Sequence, residues 1–157
     1  LARKRINSKK LRIASGVYSR GKIYNCSECR KRCIKKNPYW TIRNIPDCII
    51  RNKVFYIDSF EKVGSLLNIV DRMISNRPLI QLLETHLGLC GQLYINDMTN
   101  QIFDRYFFEK KYNCSSFGNN FDKVPDWWKW IVKIIDYEID LINKIKKQER
   151  QVPKSGR

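Results

Sequence analysis

The chain has 157 residues with 43% hydrophobic side chains, enough for one domain with a genuine core, and this excludes a chain disordered throughout. Its 31 Lys and Arg against 15 Asp and Glu give +16 at pH 7, which points to a polyanionic partner. No run of eighteen apolar residues is present, which excludes a membrane-spanning helix in this sequence.

The charge is unevenly placed. Residues 1–53 hold 16 Lys/Arg and 2 acids, hence +14; residues 54–143 hold 9 and 12, hence −3; residues 144–157 hold 6 and 1, hence +5. A neutral middle with cationic ends implies that a polyanion is gripped by the front third and helped by the tail, since each neutralised phosphate releases counterions. The alternative is a pair of solvated arms. The chain opens LARKR without an initial Met or an apolar leader, a start that fits a mature organellar protein and a mature secreted one equally. An intracellular or organellar setting is favoured, with secretion as the alternative.

Residues 1–14, LARKRINSKKLRIA, lack an apolar period and predict a basic extended arm. Val17, Tyr18, Ile23 and Tyr24 flank Ser-Arg-Gly-Lys, a hairpin pattern. A second strand pair is predicted over Cys48–Ile57 with Arg51, Asn52 and Lys53 as its turn, so 15–57 is expected to be a cysteine-containing basic β region. Between these pairs lies KIYNCSECRKRCIKK, in which Cys26, Cys29 and Cys33 sit among six basic residues.

The period then changes. Asp58-Ser59-Phe60-Glu61 is a capping-box pattern, and Phe60, Val63, Leu66, Leu67, Val70, Met73 and Ile74 recur at helical spacing. Ser75-Asn76-Arg77-Pro78 interrupts, and Pro78 suits the first turn of a helix from Leu79 to about Leu87 that ends at Gly88 and Gly91. A third helix is predicted from Asp97 to Tyr112, then a loop over 115–120. The last and longest runs from Pro125 to about Lys147, with an apolar arc spanning roughly 200° at 100° per residue. An arc that broad predicts burial on two sides, by the protein's own core and by a partner subunit. Glu138 falls inside it and requires an Arg, Lys or backbone donor. The expected architecture is α+β: arm 1–14, β region 15–57, helical domain 58–148 ending in a long amphipathic helix, and basic tail 149–157.

Two chemistries compete for the cysteines. Tyr24-Asn25-Cys26-Ser27-Glu28-Cys29 resembles the first knuckle of zinc ribbons and zinc fingers, in which an aromatic residue precedes C-x-x-C at a hairpin tip. The second C-x-x-C of a ribbon and the two histidines of a finger are lacking, since His86 is the only histidine. Cys26, Cys29, Cys33 and Cys48 together are chemically sufficient for zinc, the one cofactor considered. Disulfides are the other chemistry, with Cys90–Cys114 as a further pair, and free thiols are the remaining reading; Asn25-Cys26-Ser27 and Asn113-Cys114-Ser115 match the glycosylation acceptor pattern.

For nucleic acid, basic residues interleaved with aromatics allow phosphate contact and base stacking on one face. The residues assigned to it are Arg3, Lys4, Arg5, Lys9, Lys10, Arg12, Tyr18, Arg20, Lys22, Arg30, Lys31, Arg32, Lys35, Lys36, Tyr39 and Arg43. Catalytic residues are not assigned: His86 has no Ser, Cys or Asp pattern beside it, and the acids are scattered. The expected function is a non-enzymatic nucleic-acid-binding component, RNA rather than DNA, of a ribonucleoprotein or ribosome-like assembly whose helices dock protein neighbours. The competing expectation is a secreted, disulfide-bonded cationic effector that binds a receptor, glycan or anionic membrane.

Overall fold

In the computed structural model, residues 7–20, 48–50, 53–55, 60–118 and 120–151 are described. Among them five helices form: α1 (Ser8–Ser19), α2 (Phe60–Met73), α3 (Leu79–His86), α4 (Asp97–Tyr112) and α5 (Asp126–Gln151). Single 3-10 turns at Gly91–Tyr94 and Phe121–Lys123 lead into α4 and α5. Strands β1 (Cys48–Ile50) and β2 (Lys53–Phe55) pair antiparallel, Cys48 opposite Phe55 and Ile50 opposite Lys53. No described helix is long and apolar enough to cross a membrane.

The α+β expectation is therefore overturned. The described residues are mainly helical, and a two-stranded ribbon three residues long is their only strand pairing. The largest departure lies at the front, where Ser8–Ser19 form a helix in place of the basic extended arm and of the strand expected at Val17 and Tyr18. Asn7 caps it by accepting from the Lys9 N–H at 2.9 Å. Leu11, Ile13, Ala14, Ser15, Gly16 and Val17 are all buried. A helix buried nearly all round carries no clean amphipathic stripe, which is why the sequence pattern conceals it. Small residues make that burial possible: a Cβ on Gly16 would lie 2.3 Å from Ile80 Cγ2, so α1 meets α3 at a distance only glycine permits. The Ser15 hydroxyl satisfies itself by donating to the Leu11 carbonyl at 2.8 Å.

The four later helices lie where apolar period and punctuation place them. Gly88, at φ 64°, ends α3 in the left-handed conformation as the Leu89 N–H reaches back to the Leu83 carbonyl. For α4 a reciprocal cap forms, with Thr99 N–H donating to Asn96 Oδ1 at 3.0 Å and Asn96 N–H to Thr99 Oγ1 at 2.8 Å. The capping-box residues Asp58 and Ser59 lie outside the described residues.

Two apolar clusters make the core. Val63, Leu66, Leu67, Val70, Leu79, Leu82 and Leu83 join α2 to α3, and Ile13 of α1 closes that cluster. Ile102, Phe103 and Tyr106 of α4 meet Trp128, Ile131 and Ile135 of α5, with Leu11 and Ala14 of α1 between them. The short front helix is thus the wedge shared by both clusters.

Between them sits a buried polar knot. Glu138 of α5 is fully buried; it accepts from Arg12 Nε at 2.7 Å and from the Leu79 backbone N–H at the start of α3. The same guanidinium donates to Asp71 of α2 at 2.9 Å. Burial pushes the Glu138 carboxyl up, against the pull of Arg12 and the Leu79 N–H. Burial would lower the Arg12 guanidinium, but its bonds to Asp71 and Glu138 hold it raised. Because α3 has no side-chain cap of its own at Pro78, Glu138 caps that helix from α5 and places negative charge at its positive end.

Replacing Arg12 by Met leaves Glu138 charged, buried and unpaired, and is expected to lower unfolding stability by about 3–5 kcal/mol. Arg12→Met combined with Glu138→Gln should recover part of that loss, since no bare carboxylate remains while the Leu79 N–H keeps an acceptor. Urea unfolding of the two variants beside the wild type checks this; a double variant no more stable than Arg12→Met contradicts it.

Candidate nucleic-acid interface

Most residues assigned from sequence to phosphate binding lie outside the described residues: Arg3, Lys4, Arg5, Lys22, Arg30, Lys31, Arg32, Lys35, Lys36, Tyr39 and Arg43, as do Cys26, Cys29 and Cys33. Cys48 opens β1. Four of the remainder, all on α1 or at its end, are engaged internally. Arg12 is held by Asp71 and Glu138; Lys9 Nζ donates to the Gly64 carbonyl at 3.2 Å; Arg20 pairs with Glu84 at 2.8 Å. The Tyr18 ring stacks on Phe103 at 4.4 Å and its hydroxyl donates to Asn100 Oδ1. The fifth, Lys10, is half-buried. Arg12 and Tyr18 are parts of the core edge, each satisfied by a partner distant in sequence, and they do not form an outward strip.

Exposed cations instead gather at the end of α5. Lys144, Lys146, Lys147 and Arg150 are all exposed on its last two turns. None is ion-paired to another described residue, and Glu149 is the sole acid among them. Cations there also complement the negative end of the helix dipole. Lys133 and Lys123 are exposed further back along the same half of the chain. Around α4, Lys110 is taken up by Asp136 at 3.0 Å, Arg105 by Glu109 at 3.5 Å and Lys129 by Asp126 at 3.4 Å, while Lys111 stays exposed.

Between α4 and the start of α5 lies an open groove of about 470 Å³, bordered by Tyr106, Lys110, Cys114, Phe121 and Val132. The Tyr106 hydroxyl donates to Asp136, and burial first, then that bond, pushes the phenol above its ordinary range. Phe121 is 71% exposed, with Lys129 Nζ 4.2 Å from its ring centre. Cys114, in the wall, is an exposed free thiol, so the Cys90–Cys114 bridge weighed from sequence is not formed. The physical reason is placement: Cys90 is buried ahead of the 3-10 turn at Gly91–Tyr94, whereas Cys114 follows the C-cap of α4 at the surface. Among the described residues no three potential metal ligands meet.

Glu109 anchors the wall of this groove. It accepts from the Ser116 N–H at 3.0 Å and the Trp128 indole N–H at 2.9 Å, while Arg105 lies over the Phe117 ring at 4.2 Å. Burial would push the Glu109 carboxyl up; the bonds from Ser116 and Trp128 and the charge of Arg105 outweigh it and hold the carboxyl below the usual range. Outward aromatics that the sequence reading does not assign are Phe108, Tyr112, Phe121 and Tyr137, each at least half exposed, whereas Trp127 and Trp130, 45% and 44% exposed, fall in the broad apolar arc of α5. No protein family, curated protein or solved structure matches the chain.

A folded-state carboxyl held below its unfolded value stabilises the fold above the ordinary glutamate range, and that contribution disappears as pH falls through the folded value. Glu109→Gln, which leaves one of the two N–H donors without an acceptor, should cost about 1 kcal/mol near neutrality. The gap should close on acidification below the glutamate range. Urea midpoints of both proteins at neutral and acid pH measure it, and a gap independent of pH rules out the charge as its source.

Proposed function

We propose that this chain is a non-enzymatic nucleic-acid-binding component of a ribonucleoprotein assembly. RNA is the preferred partner, the basic front segment and the tail bind phosphates, and the helices act as scaffold. One observation carries the reading: +14 in residues 1–53 and +5 in residues 144–157 flank a body of −3. The body's ion pairs take up Arg12, Arg20, Arg105, Lys110 and Lys129, while Lys144, Lys146, Lys147 and Arg150 stay exposed. RNA is favoured over duplex DNA because the cations sit on segments and on one helix end, whereas major-groove reading needs a helix whose side chains reach base edges.

Within this reading Cys26, Cys29, Cys33 and Cys48 hold a zinc ion that clamps the cationic loop carrying Arg30 and Arg32. Four thiolates close a structural site, and neighbouring cations favour the thiolate form.

Single-stranded RNA should bind with an affinity that falls steeply with salt. Changing Arg30 and Arg32 to Gln should flatten the log–log slope by about 0.7 for each phosphate that the protein no longer neutralises, and changing Lys147 and Arg150 should flatten it again. Fluorescence anisotropy across a salt series gives the slopes; slopes unmoved by both pairs defeat the assignment. Chelation of the protein purified under reductant should release one zinc and free four thiols, read by metal analysis and thiol titration. Bridged thiols in place of zinc would return the effector reading.

A further inference from the structure

Two apolar rows run side by side along α5. Trp128, Ile131, Ile135 and Ile142, with Glu138 in the same row, face the protein's own interior and are all buried. The second row is Trp127, Trp130, Ile134, Tyr137 and Leu141, whose spacing alternates three and four residues, the seam of a helix that pairs with another helix. Leu141 is buried and Ile134 half-buried, but Trp127, Trp130 and Tyr137 are 45%, 44% and 50% exposed. Contiguous exposed aromatics on a rigid helix mark an association surface.

The flank of that row identifies the occupant. Asp126, Lys133, Asp140 and Lys147 follow one another at seven-residue intervals, alternating in sign and all exposed. Lys133, Asp140 and Lys147 have no ion pair with another described residue, and Asp126 only a 3.4 Å approach to Lys129. A solvated face would need no such order. A polyanion is disfavoured, because Asp126 and Asp140 stand among the lysines. A parallel copy would place this row and its symmetry mate on opposite sides of the seam, so the alternating charges would have no counterpart. An antiparallel copy sets Asp126 of one chain beside Lys147 of the other, and Lys133 beside Asp140. Two-fold symmetry repeats both pairs. The same register sets Ile134 against Tyr137 and brings Trp127 against the stem of Lys144.

We propose that the chain forms a homodimer in which α5 pairs antiparallel with α5 of a second copy, about a two-fold axis between Ile134 and Tyr137. Arg12, whose guanidinium lies 5.6 Å from the Tyr137 ring centre, borders the seam on the α1 side. The pairing does not depend on the nucleic-acid reading. A dimer would, however, carry two copies of the cationic end of α5.

Sedimentation equilibrium of the full chain under reductant tests it. The expected mass is twice the 18.8 kDa of the chain. Lys133→Asp, which sets carboxylate against carboxylate twice per dimer, should weaken association by about tenfold or more. Lys133→Asp with Asp140→Lys should restore it. Those residues lie about 10.5 Å apart along one helix, so recovery has to come from pairing between chains. Trp130→Lys should give a monomer with the wild-type circular dichroism spectrum. A monomeric wild type, a dimer indifferent to Lys133→Asp, or a charge swap without recovery each overturns the proposal; the first of these assigns the seam to another protein or another part of this chain.

Discussion

The bond between Arg12 and Glu138 ties together helices that are otherwise far apart in sequence. One guanidinium from α1 reaches Glu138 of α5 and Asp71 of α2, and the same carboxylate caps α3 through the Leu79 N–H. Each group depends on the others. Glu138 without Arg12 would be a bare buried charge, and α3 without Glu138 would begin with an unsatisfied N–H beside a proline that offers no side-chain cap. Such a knot adds little net stability compared with apolar packing of the same volume. It closes only when four helices are in register.

That knot explains why a segment so rich in Lys and Arg is nonetheless an internal element. Ser8–Ser19 contributes Ile13 to one apolar cluster and Leu11 with Ala14 to the other, and Gly16 lets it approach Ile80. The charged side chains on and beside it are absorbed as it docks: Arg12 into the knot, Lys9 onto the Gly64 carbonyl, Arg20 onto Glu84. Among the described residues, the cations of α1 and those at the end of α5 thus differ in kind. The former neutralise the acids of the helical body, and the latter stay exposed.

The long last helix likewise has two functions on one cylinder. Its inner row completes the core, while its outer row keeps two tryptophans and a tyrosine half in solvent beside a row of alternating charge. Aromatics left half in solvent along a rigid helix cost solubility, so a covering partner is the economical explanation. The groove between α4 and the start of α5 has its wall held by Glu109, which accepts from Ser116 and Trp128 at once.

Much of this was legible in the residues themselves. Helical period with its punctuation at Pro78, Gly88 and Pro125 places α2 to α5, and the position of Glu138 in an apolar arc demands a cationic or backbone donor. The excess breadth of that arc takes in Trp127 and Trp130, which the structure leaves half exposed. These features are local, set by side chains within a few turns of one another, and so period and charge reveal them. Which cation answers Glu138 is not local: Arg12 lies 126 residues away. Nor is the helical state of Ser8–Ser19, where small residues of weak amphipathic pattern become a helix because two apolar clusters and a buried carboxylate close around them. Tertiary packing there outweighs both the extended reading of a basic stretch and the strand reading of Val17 and Tyr18.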